Sequence, residues 1–235
     1  MRLLLISNST MAGEAYLDYP KHNIQEFLGK DIKKTLFIPY AAVTFSFDIY
    51  AEKVQERFDE IGYKVDSIHN YKNPVKAIEE AEAIIVGGGN TWQLTKMMQE
   101  QGLIGTIRKK VQAGTPYVGW SAGSNVACPT IKTTNDMPIV EPHSFNVCNL
   151  VPFQINPHYL DANPEGHGGE TREQRIEEFI AANQKTIVVG LREGCMFKVE
   201  NGEIKLIGNK DARIFKYGET AYEMSDKDDF DFLIT

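Results

Sequence analysis

The sequence predicts an α/β fold: a mostly parallel sheet with helices on both faces, ending in a C-terminal antiparallel hairpin. Three observations lead there. Short apolar runs of strand length alternate with stretches of helical periodicity through most of the chain, the pattern of a parallel sheet covered on both sides. Two of the runs end in glycine-rich turns, Val86-Gly87-Gly88-Gly89 and Tyr117-Val118-Gly119-Trp120-Ser121, and α/β sheets keep their functional turns at strand carboxyl ends. Late in the chain the period switches to two around Asn201-Gly202, which is a hairpin signal.

In chain order, strands are expected at Arg2–Ile6, Thr35–Ile38, Lys64–Ile68, Ala83–Val86, Tyr117–Gly119 and Thr186–Gly190. Leu3-Leu4-Leu5-Ile6 precedes the polar Ser7-Asn8-Ser9-Thr10. It is too short for a signal-peptide core or a membrane span and reads as a first buried strand. Phe47, Tyr50, Ala51, Val54, Phe58 and Ile61 share one face at helical spacing, and Gly62 closes that segment. Asn73-Pro74 opens another helix, to about Glu82, with proline in its first turn. Thr171-Arg172-Glu173-Gln174 is a Thr-x-x-Gln capping box, so a helix begins there. Phe197 to Leu206 forms the hairpin on one edge of the main sheet, and Arg213–Lys216 adds a strand to the same appendix. The acidic stretch Ser225–Asp231 reads as a solvated or loosely packed tail. With no repeat, low-complexity segment or Pro/Ser-rich linker, residues 1–235 are expected to make a single α/β domain.

Of 235 residues, 42% are hydrophobic and 24% charged, enough apolar surface for a large core. The net charge is −7 and basic residues come in pairs, such as Lys33-Lys34 and Lys109-Lys110. That argues against nucleic acid or an anionic membrane as partner. Three cysteines without a C-x-x-C argue against a disulfide framework and for a reducing, cytoplasmic setting. The expected assembly is a monomer or weak homodimer.

Gly119-Trp120-Ser121-Ala122-Gly123 fits G-x-S-x-G, with an apolar run before it and a small-residue, helix-compatible stretch after it. This is the strand–turn–helix context of a nucleophile elbow, which lifts Ser121 above the sheet edge. A hydroxyl becomes a nucleophile only beside a base. Of the histidines, His158 stands out, because Pro157 fixes its approach at the end of the run Gln154-Ile155-Asn156. A carboxylate must then hold the imidazole tautomer, and both Asp136 and Glu193 qualify. Gly87-Gly88-Gly89 fits neither a dinucleotide fingerprint nor a P-loop, because Trp92 stands at the third position and no Gly-Lys-Ser/Thr follows. An oxyanion hole from the Ala122 N–H and that of Gly88 or Gly89 suits it better. His158, Glu165 and His167 match no familiar zinc spacing, and neither metal nor cofactor is expected.

The stretches Gly119–Gly123, Ala127–Ile131, Thr133–Val140, Gln154–His158 and Glu165 to Arg175, with the Gly-Gly-Gly-Asn-Thr loop and the Leu-rich first strand, together resemble the peptidase E family of α-aspartyl dipeptidases. The resemblance runs from Met1 to about Gly218 and the acidic tail departs from it. It implies a cytoplasmic serine peptidase acting on dipeptides with N-terminal aspartate. It also implies kinship with the class I glutamine amidotransferase-like, flavodoxin-like three-layer sandwich, with Ser121 where those enzymes place cysteine. The family's nucleophile and base fall on Ser121 and His158, and its acid on Asp136 or Glu193. Arg172, in the first turn of its helix, opposes the helix dipole. Pairing with Glu170, Glu173 or Glu177 would explain it equally well; the resemblance favours a substrate carboxylate. Glu170 and Asp161 are further candidates for substrate binding, through the α-amine. A broader esterase or amidase using the same residues is the alternative activity, and a non-catalytic binding module the alternative to an enzyme.

Overall fold

The computed structural model describes residues 1–163, 165–166 and 168–234. Along the chain the elements run β1 (Arg2–Ile6), α1 (Lys21–Leu28), β2 (Lys34–Ile38), α2 (Phe47–Asp59), β3 (Lys64–Ser67), α3 (Pro74–Glu80), β4 (Ile84–Val86), α4 (Thr91–Glu100), α5 (Leu103–Gln112) and β5 (Tyr117–Trp120). They continue with α6 (Ala122–Asn125), β6 (Gln154–Tyr159), α7 (Arg172–Ala182), β7 (Val188–Arg192), β8 (Met196–Glu200), β9 (Glu203–Ile207), β10 (Ala212–Phe215) and β11 (Tyr222–Met224).

Seven strands form the main sheet in the order β3-β2-β4-β5-β1-β8-β9. The first five are parallel, and β8 and β9 join antiparallel at the β1 edge. Asn201 and Gly202 turn the hairpin with φ of 56° and 82°, the double positive φ of a type I′ turn. Both faces of the parallel part are buried, so its strands read as continuous apolar runs. Leu3, Leu5, Leu36, Ile38, Ile84 and Val86 pack on the side of α3, α4 and α5. Leu4, Ile6, Phe37, Ile85, Val118 and Trp120 pack on the side of α1 and α2. Local chemistry sets the helix starts. Ser46 accepts from the Ile49 N–H at α2, Asn73 from the Lys76 N–H at α3, and Thr171 and Gln174 close a capping box at α7.

Two expectations need correction. The Thr186–Gly190 run does not join the parallel main sheet, and Arg213–Lys216 does not extend the hairpin. They form, as β7 and β10, the middle of a separate four-stranded sheet, β11-β10-β7-β6. Only its β6–β7 pair is parallel. The reason is edge occupancy: β8 pairs with all of β1 from Arg2 to Ile6, so no edge remains there for β7. The second sheet instead lays Ile155, Val189, Leu191, Ala212 and Ile214 into the same core as α6 and the hairpin. Its outer side packs on α7 through Ile176 and Ile180. The second correction concerns the acidic tail, which is not simply solvated. Phe230 is fully buried with its ring 5.3 Å from that of Phe197, Leu233 is buried, and Asp231 accepts the Ile204 N–H at 3.0 Å. Two apolar side chains among acids close over the hairpin. Among the described residues no helix is long and apolar enough to cross a membrane.

Candidate active site

The elbow follows from close approach of backbones. A Cβ on Gly119 would lie 2.5 Å from the Gly123 carbonyl oxygen, and one on Gly123 would lie 2.2 Å from that of Val86. Neither position tolerates a side chain, so the chain turns directly from β5 into α6. Between them Ser121 takes φ 52° and ψ −111°, a conformation that L-residues hold only where the surroundings enforce it. The enforcing bonds are the Ser121 N–H to Ile6 O at 3.0 Å, and the Ser124 hydroxyl shared between Ile6 O and Gly119 O.

His158 arrives from the second sheet. It too has positive φ, 52°, where the β6–β7 register shifts between Pro157 and Tyr159. Its backbone N–H donates to the Ser7 hydroxyl at 2.9 Å, and that hydroxyl donates to Leu191 O at 2.7 Å. Ser7 is fully buried, and it ties the end of β1 to the ends of β6 and β7. The imidazole Nε2 lies 3.0 Å from Ser121 Oγ, and Nδ1 lies 2.7 Å from Glu193 Oε1. A carboxylate only accepts, so Nδ1 carries the proton and Nε2 is left to accept from the serine hydroxyl. Glu193 sits just beyond β7, and the next residue, Gly194, donates its N–H to Asn8 Oδ1 at 2.9 Å.

Asp136 has other partners. Its Oδ2 accepts from the Thr91 N–H at 2.7 Å, the Thr91 hydroxyl at 2.6 Å and the Thr134 hydroxyl at 3.1 Å. The carboxylate therefore sits at the start of α4, where the helix dipole favours negative charge. It still lines the pocket that holds Ser121 and His158, but among the described residues it makes no hydrogen bond to the imidazole.

The glycine loop lies against the serine. A Cβ on Gly88 would come within 3.1 Å of the Ser121 Cβ, and one on Gly89, at φ 128°, within 2.4 Å of Ala41 O. Gly87 donates its N–H to Ile38 O and Asn90 its own to Ala41 O. Among the described residues the N–H groups of Gly88 and Gly89 between them have no such acceptor, and Ala122 is the first residue of α6.

Arg172 completes the pocket, a cavity of about 280 Å³ lined also by Asn125, Thr134, Asn135, Pro157 and Leu160. Two of the three carboxylates that could pair with it are committed elsewhere. Glu173 takes two bonds from Arg213 at 2.8 and 2.9 Å, and Glu170 lies 3.7 Å from Arg175. Among the described residues no carboxylate forms an ion pair with Arg172. Burial, and then the charge of Arg175, hold its guanidinium below the ordinary arginine value. Glu170 is exposed and outside the pocket lining. Asp161 is bound by Arg192, which also holds Glu223. Among the described residues no cluster of three His, Cys, Asp or Glu side chains is placed to hold a metal; His167 lies outside the described residues. Sequence reasoning missed Ser7 and Asn8. Their signal was a pair of polar residues at a strand's carboxyl end, and both are buried.

Comparison with known proteins agrees with this geometry. The sequence profile of peptidase family S51 matches residues 3–207. A peptidase E from Nostoc sp. (strain PCC 7120) is 55% identical over 233 residues, covering 99% of this chain and 96% of that protein. A peptidase E from Salmonella newport (strain SL254) is 48% identical over 221 residues, 94% of this chain and 96% of its own length. Among solved structures, a peptidase from an acI-B1 Actinobacterium superposes with a TM-score of 0.69 at 17% identity, covering 97% of this chain and 95% of that one. At that identity the likeness speaks for the fold. The matched family and the two relatives span the elbow, the glycine loop and the histidine strand together: the chain belongs to peptidase family S51 and is a serine-type peptidase.

Proposed function

We propose that the protein is a dipeptidase for Asp-X substrates, working through an acyl-enzyme on Ser121. The observation that carries this is the run Ser121–His158–Glu193, at 3.0 and 2.7 Å, in a pocket whose cation, Arg172, has no acidic partner among the described residues. In this reading His158 Nε2 takes the proton as Ser121 Oγ bonds to the scissile carbonyl carbon. Glu193 holds the tautomer and balances the imidazolium. The carbonyl oxygen, now negative, is received by the Ala122 N–H and one from the Gly88–Gly89 segment. His158 returns the proton to the leaving amine as the C–N bond breaks. Water then repeats the sequence on the acyl-enzyme and releases aspartate.

Arg172 reads the substrate β-carboxylate by a charge-assisted pair. The pocket's two carboxylates are Asp136 and Glu193. With Glu193 on the imidazole, Asp136 is the counter-charge left for the free α-amine, rather than Glu170 or Asp161. A pocket of about 280 Å³ is small by the measure of ligand sites, which favours a dipeptide over a longer chain. A broader esterase would leave Arg172 without a task. In this reading the protein acts as a monomer or weak homodimer. Three free, buried cysteines suit a cytoplasmic setting.

The test is hydrolysis of Asp-X beside Asn-X, Glu-X and N-blocked Asp-X, with Ser121→Ala as control. Asp-X should be preferred, blocking the amine should abolish turnover, and the variant should fall by ~10³-fold or more. Near-normal turnover in Ser121→Ala would sink the reading.

A further inference from the structure

Three consecutive glycines beside the serine leave the loop free to present either a donor or an acceptor to the developing oxyanion. A rotated Gly88–Gly89 peptide would offer Gly88 O in place of an N–H, which repels the charge that forms in the transition state. One side chain bears on that choice. Tyr50, from α2, donates its hydroxyl to Gly88 O at 2.9 Å. Its oxygen in turn accepts from the Tyr16 hydroxyl at 2.9 Å and from the Trp120 indole N–H at 3.3 Å. The three groups form a donor chain, part-exposed at Tyr16 and buried at Tyr50 and Trp120, in which each bond polarises the next. Burial pushes the Tyr50 phenol up to about 12, so it remains a donor throughout the neutral range. Gly87 is shaped around it: a Cβ there would lie 2.7 Å from the Tyr50 hydroxyl oxygen.

We propose that Tyr50 is a positioning residue that locks the Gly88–Gly89 peptide with its carbonyl turned away from Ser121, making the Gly89 N–H the oxyanion donor contributed by this loop. The peptide is trans, so a carbonyl held by Tyr50 sends the Gly89 N–H to the opposite side. A Cβ added to Gly88 would come within 3.1 Å of the Ser121 Cβ, which sets this peptide beside the serine, and Asn90, next after Gly89, already spends its N–H on Ala41 O. The choice left open between Gly88 and Gly89 thus falls on Gly89. This inference rests on Ser121 being the nucleophile.

Tyr50→Phe tests it, because the ring stays and only the hydroxyl leaves. Without the lock, part of the population presents the carbonyl. kcat for Asp-X should fall about 10- to 100-fold, less than the ~10²–10³-fold for outright loss of a donor. KM, inhibition by free aspartate and the pH midpoint of kcat should stay within about twofold, since ground-state binding and His158 are untouched. A boronic-acid analogue of aspartate, which places a tetrahedral oxygen in the hole, should lose affinity by the same factor as kcat. Unchanged kcat and boronate affinity would overturn the lock, and so would parallel losses in KM and aspartate inhibition, which signal general loosening. If Tyr50→Phe fails to fold, Tyr16→Phe removes the outer donor; it should lower kcat by a smaller factor at constant KM, and no change refutes the chain. Ser121→Ala separates the two claims. Activity there defeats the nucleophile assignment, whereas a dead Ser121→Ala beside a wild-type-like Tyr50→Phe defeats the lock and leaves the nucleophile standing.

Discussion

On the proposed reading, replacing Arg172 by methionine should abolish the preference for Asp-X. The guanidinium is half-buried at the first residue of α7, held below its ordinary value by burial first and by Arg175 second. Methionine keeps the stem and removes the charge. A substrate carboxylate entering the pocket would then be desolvated without a partner, whereas in the wild type it meets an arginine free of other ion pairs among the described residues. Breaking a fully buried pair costs ~3–5 kcal/mol. Half-burial lets water share the load, so about 2–3 kcal/mol is the better figure here, or roughly 30- to 150-fold at 1.36 kcal/mol per decade. The assay is kcat/KM for matched Asp-X and Asn-X dipeptides. The variant should lose that factor on Asp-X and almost nothing on Asn-X, bringing the ratio close to one. Acylation by a small neutral serine-directed reagent should be unchanged, showing that the machinery survives. Asp selectivity that persists in the variant would refute the reasoning and turn attention to Arg175, which among the described residues pairs with Glu170 at 3.7 Å.

Glu193→Gln should lower kcat far more than KM, because an amide holds the imidazole without balancing its charge; Asp136→Asn should act mainly on KM, and the reverse pattern in steady-state kinetics would swap their roles. Ser7→Ala removes the hydroxyl that accepts from the His158 N–H and donates to Leu191 O; kcat should drop about tenfold, with a melting-temperature loss equivalent to ~1–2 kcal/mol for the unsatisfied buried groups. Arg192 holds the carboxyls of Asp161 and Glu223 below their ordinary values. For groups depressed in the folded state, the stabilisation is complete above the unfolded pKa near 4 and lost as pH falls through the folded value. The melting temperature should therefore decline below about pH 4, and less steeply in Arg192→Leu, as followed by circular dichroism.

What the sequence disclosed, and what it withheld, has a physical pattern. The elbow was legible because its glycines answer local contacts: Gly119 against Gly123, and Gly123 against Val86. The α7 start was legible because a capping box is complete within four residues. His158 was legible from Pro157 and the apolar run before it. Which of Asp136 and Glu193 meets the imidazole was not, since both follow plausible element ends and the contact depends on where the second sheet docks. That docking depends on contacts spanning most of the chain, such as Ser7 to Leu191 and Gly194 to Asn8. For the same reason Thr186–Gly190 read as one more strand of the main sheet: an apolar run does not say which sheet buries it. The tail misled by composition, because its acids outnumber the two apolar side chains, Phe230 and Leu233, that anchor it.

Serine and histidine stand on different sheets, one at the end of β5 and the other at the end of β6. A half-folded chain with the main sheet complete would carry a finished elbow and no base, so regain of turnover on refolding would time the meeting of the two sheets rather than the formation of either. In the native state, too, a slide of the smaller sheet by a single ångström would part Nε2 from Oγ while leaving every strand intact. On the proposed roles of Ser121 and His158, turnover would serve as a gauge of how the two sheets are seated.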